Sequence, residues 1–234
     1  MPVLFFDIGA TLADARVERD GSLTLLPRPR VLAVLDEFRD VRKGVISNPG
    51  PGEGAVERAL SALQEAFPGR FTDSELVHWG SKDNREIFDD AVAGTAGEDS
   101  LPAAADDCVF VGEDPQERAF AREAGLRTAV HPVFTRAAVE NRPVFRVRIE
   151  LSDGQELTAL ETVANRTEVV PLHATSARLV PAMASTAGAR ALEQAGFTVD
   201  LRGPVEEAET PLIHDDRFRA PTPAPRATPT GLGS

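Results

Sequence analysis

Short apolar runs alternate with amphipathic stretches along the first 135 residues of the chain. The apolar runs have the length of strands and lie at 3–6, 44–47, 75–79, 109–111 and 128–130. The stretches between them carry apolar residues at helical spacing, at 30–38, 53–67, 84–92 and 115–124. Because strands separated by helices pair in parallel with right-handed crossovers, this pattern predicts an α/β domain built on a doubly wound parallel sheet.

The pattern changes at Val144, where apolar and charged residues alternate as far as Leu151. Such alternation is typical of a half-buried strand. The segments that follow predict a helix, two strands, a second helix and a last strand, at 155–165, 167–172, 177–183, 185–195 and 197–201. This β-α-β-β-α-β order predicts a small α+β domain of the ferredoxin-like type over residues 144–203. The turn sequence Ser152-Asp153-Gly154 makes a β-hairpin in place of the first helix the alternative.

Residues 204–234 are rich in proline and poor in apolar side chains. Such a segment cannot bury enough surface to offset the entropy lost on ordering, so we predict a disordered tail. The chain is therefore expected to divide into a core domain at 1–140, a small domain at 144–203 and the tail. We expect few contacts between the two domains, as is usual across such a boundary.

Polar residues follow several of the predicted strands directly. Asp7 ends the first strand, Ser47 ends the second, Lys82 follows the third, and the pair Glu113-Asp114 follows the fourth. The carboxyl ends of parallel strands share one edge of a sheet, where open α/β folds bind their ligands. We therefore expect a functional site at this edge.

These residues stand in four short segments, at 3–12, 44–48, 79–88 and 108–117. In this order the segments resemble the four motifs of the haloacid dehalogenase (HAD) superfamily, and the resemblance covers about residues 1–135. It implies a HAD-like, Rossmann-like fold and phosphatase-type hydrolysis that depends on magnesium (Mg²⁺). Asp7 matches the nucleophile, which forms an aspartyl-phosphate and also binds Mg²⁺. Ser47 and Lys82 match the groups that hold the phosphoryl oxygens.

The other Mg²⁺ ligands that the resemblance implies are the backbone carbonyl of Gly9 and the carboxylate of Glu113, or of Asp114 beside it. Family phosphatases carry aspartate at the position of Gly9, and its side chain protonates the leaving group. General acid–base catalysis contributes roughly 10²–10⁴-fold, and glycine cannot supply it. Glutamates also replace both aspartates of the fourth motif, at Glu113 and Glu117.

These departures from the family pattern leave two hypotheses. The first is a HAD-like phosphatase that is slow or specialised. The second is a catalytically degenerate protein that serves as a binding or scaffold module through its C-terminal domain.

The spacing of the motifs leaves no room for a separate cap domain that would select the substrate. Between Asp7 and Ser47 the chain is long enough only for a flap and a helix, and between Ser47 and Lys82 for one helix and one strand. The core is therefore predicted to be capless, with an open site. The expected partners are a phosphorylated substrate, either a small molecule or a protein, or a protein partner.

Composition narrows the classes of partner and the location. The net charge of −12 disfavours nucleic acid and anionic membrane surfaces. The start of the chain carries neither a basic segment nor a long apolar run, so we expect no signal peptide, no membrane span and a cytoplasmic location. The single cysteine, Cys108, excludes an internal disulfide framework and is expected in the core.

Overall fold

The computed structural model describes residues 1–19, 22–97, 101–172 and 178–205 of the chain. The strands are β1 (Val3–Phe6), β2 (Ala13–Val17), β3 (Leu23–Pro27), β4 (Arg42–Ser47), β5 (Val77–Trp79), β6 (Cys108–Val111), β7 (Arg127–Ala129), β8 (Val144–Glu150), β9 (Val169–Pro171), β10 (Leu179–Ser185) and β11 (Thr198–Pro204). The α-helices are α1 (Pro29–Glu37), α2 (Ala55–Ala66), α3 (Glu86–Ala93), α4 (Pro115–Glu123), α5 (Thr135–Val139), α6 (Leu157–Ala164) and α7 (Thr186–Gln194). The predicted tail, apart from its first two residues, lies outside the described residues. No helix within those ranges has both the length and the apolar character needed to cross a membrane.

Five strands form a parallel sheet in the order β5-β4-β1-β6-β7. The predicted α/β class with a parallel central sheet is therefore confirmed. The central strand β1 is buried on both faces, which explains why its sequence is a continuous apolar run. Leu4 and Phe6 point into one hydrophobic cluster, and Val3 and Phe5 into another, so the sheet has a core on each side.

A separate antiparallel hairpin, β2 and β3, follows the loop that leaves β1. Its register pairs Ala13 with Pro27, Ala15 with Leu25 and Val17 with Leu23. The hairpin packs against α2, and side chains from both of its strands line the same cavity as Asp7 and Ser47, which lie at the carboxyl ends of β1 and β4. Residues 20 and 21, between the two strands, lie outside the described residues.

The second sheet is antiparallel and has the order β11-β8-β10-β9. Along the chain its elements follow as strand, helix, strand, strand, helix, strand. Helix α6 occupies the place for which a β-hairpin at 152–154 was the alternative. Residues 173–177, where part of one predicted strand falls, lie outside the described residues.

The contacts between the two parts of the chain are few, as expected, but some of them are buried. Val170 of β9 and Met183 of β10 are buried in the same hydrophobic cluster as alternate residues of β1. Arg30 of α1 donates hydrogen bonds to the backbone carbonyls of Thr167 and Val169, over 3.2 and 2.7 Å. The two sheets therefore share a small area of buried apolar surface.

Replacing Met183 with alanine should therefore destabilise the parallel sheet, although Met183 belongs to the other one. A buried Met→Ala change typically lowers the free energy of unfolding by about 2–5 kcal/mol. Trp79, the only tryptophan of the chain, ends β5 and reports unfolding of the parallel sheet by its fluorescence. In urea its transition should move to lower denaturant in Met183→Ala.

The control is Leu201→Ala, because Leu201 lies on β11 of the same sheet as Met183 and is 56% exposed. This variant should leave the Trp79 transition close to that of the wild type. A Met183→Ala protein with an unshifted Trp79 transition would mean that the two sheets unfold independently.

Candidate active site

Asp7 lies at the carboxyl edge of the parallel sheet, directly after β1. Its backbone amide donates a hydrogen bond of 2.9 Å to the carbonyl of Val111, the last residue of β6. The strand order reverses between β1 and β6, and open α/β sheets bind ligands at such a switch point. Asp7 is only 5% exposed. A carboxylate at this depth needs partners that offset its charge.

Ser47 and Lys82 are the partners of the Asp7 carboxylate. Ser47 Oγ, at the end of β4, donates a hydrogen bond of 2.9 Å to Oδ1 of Asp7. Lys82 Nζ, in the loop after β5, donates to the same oxygen over 2.6 Å. Burial acts to lower the pKa of Lys82, but the carboxylates of Asp7 and Glu117 outweigh burial and raise it. Lys82 is therefore a cation, and three side chains from separate strand ends meet at one oxygen atom.

Glu113 follows β6 and brings a second carboxylate to the site. Thr11 Oγ1 donates a hydrogen bond of 2.7 Å to Glu113 Oε2. The buried guanidinium of Arg118, on α4, donates to the backbone carbonyls of Gly112 and Glu113 over 2.7 and 2.6 Å. Burial, followed by the negative charge of Asp7, raises the pKa of Glu113. The fold thus holds this acid in a place that disfavours its ionised form.

Glu117, in the first turn of α4, is the third carboxylate. Its Oε2 lies 2.7 Å from Lys82 Nζ and forms an ion pair with it. Burial nevertheless raises the pKa of Glu117 to about 7, because desolvation outweighs the attraction of Lys82, and Asp7 and Glu113 add repulsion. The site therefore gathers three carboxylates around the ammonium of Lys82.

Asp114, the other candidate acid of the fourth motif, has a different place. Its Oδ1 accepts hydrogen bonds from the backbone amides of Gln116 and Glu117, over 2.7 and 3.1 Å, and so caps the N-terminus of α4. Glu113, and not Asp114, lines the cavity above Asp7.

Sequence reasoning did not single out two residues that position the acidic loop, Thr11 and Arg118. Thr11 stands in the first motif, so its place in that motif was the available signal. The sequence gives no signal for Arg118, because its described partners are backbone carbonyls, which every residue possesses.

The turn after Asp7 is open at Gly9 and strained at Ala10. A Cβ atom on Gly9 would meet no other atom within 4 Å, so packing does not require glycine there. Ala10 has a φ of 52°, in the left-handed region, which costs a residue with a Cβ roughly 1–2 kcal/mol. Arg28 helps to hold this turn, because its Nη1 donates a hydrogen bond of 2.9 Å to the Ala10 carbonyl.

Asp7, Ser47, Lys82, Glu113 and Glu117 form the polar floor of a cavity of about 480 Å³. The size lies in the range of small-molecule sites, which is about 300–1,000 Å³. The walls come from the β2–β3 hairpin, the loop after β4, the start of α2 and the end of β5. Among the described residues, those of the second sheet do not line this cavity.

The donor set at the floor suits Mg²⁺, which prefers oxygen ligands and usually takes one or two carboxylates while keeping several waters. Asp7 and Glu113 supply carboxylates, and the negative charge of Asp7 adds to burial in raising the pKa of Glu113. The described residues contain no group of three or more His, Cys, Asp or Glu side chains arranged to hold a metal ion. A bound Mg²⁺ would therefore need backbone oxygen and water ligands as well, and Mg²⁺ sites in proteins usually include several waters.

The pKa of Glu117 makes the stability of the metal-free protein depend on pH. An acid whose pKa rises from 4.5 to about 7 on folding stabilises the fold less as the pH increases through that interval. Glu117→Gln removes this loss, so the variant should gain stability relative to the wild type between about pH 5 and pH 8. Urea unfolding in EDTA at the two pH values measures the difference.

Glu123→Gln is the control, because Glu123 is exposed on the same helix and its substitution removes an equal charge. It should not reproduce the gain with pH. A difference between Glu117→Gln and the wild type that stays constant with pH would show that Glu117 ionises as an ordinary exposed acid.

Comparison with known proteins gives only distant similarities. No protein-family model matches the chain, and no curated protein matches it. Among solved structures, it is similar to a putative 3-deoxy-D-manno-octulosonate 8-phosphate phosphatase from Vibrio cholerae, with 15% identity and a TM-score of 0.37. That match covers 53% of this chain and 62% of the other, so the chain spans less than two thirds of that protein. It is also similar to the cobalt-bound form of the deoxy-D-mannose-octulosonate 8-phosphate phosphatase from Haemophilus influenzae, with 16% identity, a TM-score of 0.38 and coverage of 60% and 75%. Scores this low imply nothing about shared activity.

Proposed function

We propose that the protein is a capless, Mg²⁺-dependent, phosphatase-type hydrolase whose nucleophile is Asp7. The observation that carries the proposal is the buried carboxylate of Asp7, held by Ser47 and Lys82 at the switch point of the sheet and facing a cavity of ligand size. A buried carboxylate that is paired with a cation and open to a ligand is suited to covalent catalysis.

The reaction would proceed in two displacements at phosphorus. In the first, a carboxylate oxygen of Asp7 bonds to phosphorus, and the bond between phosphorus and the ester oxygen breaks with its electron pair on the leaving group. In the second, water attacks the aspartyl-phosphate, the bond to Asp7 breaks, and inorganic phosphate leaves. Ser47 and Lys82 donate hydrogen bonds to the phosphoryl oxygens and offset their charge.

The Mg²⁺ ligands that we propose are the carboxylates of Asp7 and Glu113 and the backbone carbonyl of Gly9. Asp114 is the weaker candidate, because its Oδ1 is engaged in capping α4. When bound, Mg²⁺ supplies positive charge that stabilises the charge developing on the transferred phosphoryl group. Thr11 and Arg118 position the loop that presents Glu113.

Gly9 limits the reaction, because it offers no group to protonate the leaving oxygen. Only leaving groups that are stable as anions depart readily without a proton. We therefore expect the enzyme to be specialised for esters of acidic alcohols or for acyl phosphates.

A binding or scaffold role is the second candidate, and Gly9 favours it. In this hypothesis the segment 144–203 is a ferredoxin-like domain that binds a protein partner, an assignment supported by its antiparallel order β11-β8-β10-β9. A site that binds Mg²⁺ but releases no phosphate from any ester or acyl phosphate would favour this candidate over the enzyme.

Millimolar Mg²⁺ should raise the melting temperature of the wild-type protein, because it binds the folded state only. Asp7→Asn should abolish the shift, since it removes a ligand charge. Asp40→Asn removes a charge from a side chain that is 91% exposed, and this control should keep the shift. A wild-type protein that is indifferent to Mg²⁺ contradicts the metal assignment.

Gly9→Asp should restore protonation of the leaving group. In the wild type, 4-nitrophenyl phosphate should be hydrolysed much faster than an alkyl phosphate such as glycerol 2-phosphate, and the variant should narrow this gap by roughly 10²-fold or more. The added side chain has room, because no atom lies within 4 Å of a Cβ at this position.

Phosphate release with Mg²⁺ measures both rates, and Asp7→Asn provides the blank. If the wild type already hydrolyses both esters equally well, another residue supplies the proton and the limiting role of Gly9 is refuted.

A further inference from the structure

The cavity above Asp7 has a polar floor and an apolar side. The floor carries the charged groups described above, whereas the β2–β3 hairpin contributes only aliphatic side chains: Ala15, Val17, Leu23 and Leu25. A substrate whose phosphoryl group lies on Asp7 must therefore place part of its body against an apolar surface.

The hairpin has two chemically different faces. Residues that pair directly across an antiparallel ladder lie on the same face, so Ala15 with Leu25 and Val17 with Leu23 form an apolar face. Arg16 and Thr24 pair on the opposite face, as do Asp14 and Leu26, and none of these four lines the cavity.

The apolar face is also left open by the fold. Val17 keeps 74% of its surface exposed although it lines the cavity. Its exposure places aliphatic surface at the mouth of a catalytic cavity, where a ligand can cover it.

The rest of the lining is mixed: Trp79, Pro49 and Pro51 are apolar, and Asn48 and Arg58 are polar. Trp79 is half-buried at the end of β5, three positions before Lys82. A flat aromatic side chain beside prolines and aliphatic residues favours an aromatic ligand, because aromatic groups gain both buried area and ring–ring contact.

We infer that these apolar walls bind the leaving group of the substrate, and that the substrate is a small aromatic phosphate monoester. The inference rests on the proposed phosphatase function and specifies its substrate class. The cavity volume of about 480 Å³ suits a small molecule. A polyhydroxylated leaving group would find no hydrogen-bonding side chain on the hairpin face.

The chemistry of Gly9 leads independently to the same class. When the bond between phosphorus and the aryl oxygen breaks, its electron pair remains on a phenolate, which the ring stabilises. Asp7 forms the new bond to phosphorus, and the phenolate takes a proton from water after it leaves. No protein acid is required at the position that Gly9 occupies.

The first test compares 1-naphthyl phosphate with acetyl phosphate, both with Mg²⁺. Acetyl phosphate has a good leaving group but no apolar body, so the ratio of the two kcat/KM values isolates the contribution of the walls. Val17→Ser should lower this ratio about tenfold, the usual scale for a lost apolar contact in a specificity pocket. Leu26→Ser is the matched control, because Leu26 is 46% exposed on the opposite face of the same hairpin.

Each outcome of this test decides something. A ratio that falls in Val17→Ser but not in Leu26→Ser supports the inference. Equal ratios in both variants and the wild type refute it while leaving the phosphatase proposal intact, since acetyl phosphate is still hydrolysed. Hydrolysis of neither substrate refutes the phosphatase proposal itself.

The second test needs no turnover. Trp79 is the only tryptophan of the chain and lines the cavity, so its fluorescence reports binding there. Phenylphosphonate, which cannot be hydrolysed, should bind about tenfold more tightly than methylphosphonate, and Val17→Ser should reduce this advantage. Equal affinity of the wild type for the two phosphonates would overturn the aromatic assignment, even if the protein is an active phosphatase.

Discussion

The structure of the site depends on the burial of one negative charge, the carboxylate of Asp7. Burying it next to Glu113 and Glu117 would be very costly without Lys82, whose ammonium lies 2.6 Å from Asp7 and 2.7 Å from Glu117. The position of Lys82 in turn requires β5 to pair with β4, because that pairing brings the loop after β5 to the same sheet edge as β1. The pairing of β4 with β5, the position of the loop that carries Lys82 and the charge balance at Asp7 therefore depend on one another.

Much of this arrangement follows from the sequence. The buried strands β1 and β6 are continuous apolar runs, and a polar residue directly after each one marks the edge at which they end. Asp7, Ser47 and Lys82 were predicted to act together, and the structure places two hydrogen bonds between them. Strand-end positions are predictable because the geometry of a parallel sheet converts sequence position into spatial position.

Other features had no local signal. The shared core depends on Val170 and Met183, which are apolar residues in short strands and carry no mark of which sheet face they meet. The choice between Glu113 and Asp114 also depends on tertiary structure, since either acid can cap a helix or face a cavity and they are adjacent in sequence. Helix α4 settles the choice by taking Asp114 as its N-cap, which turns the preceding residue toward Asp7.

Arg28 joins the turn at Ala10 to the base of the hairpin. It is 6% exposed, and its guanidinium donates both to the Ala10 carbonyl and to Asp14 Oδ1 on β2. The hairpin base and the turn that carries Gly9 are consequently mechanically coupled through one rigid, planar cation. The position of β2, and with it the apolar face of the hairpin, is thereby tied to the backbone that follows Asp7.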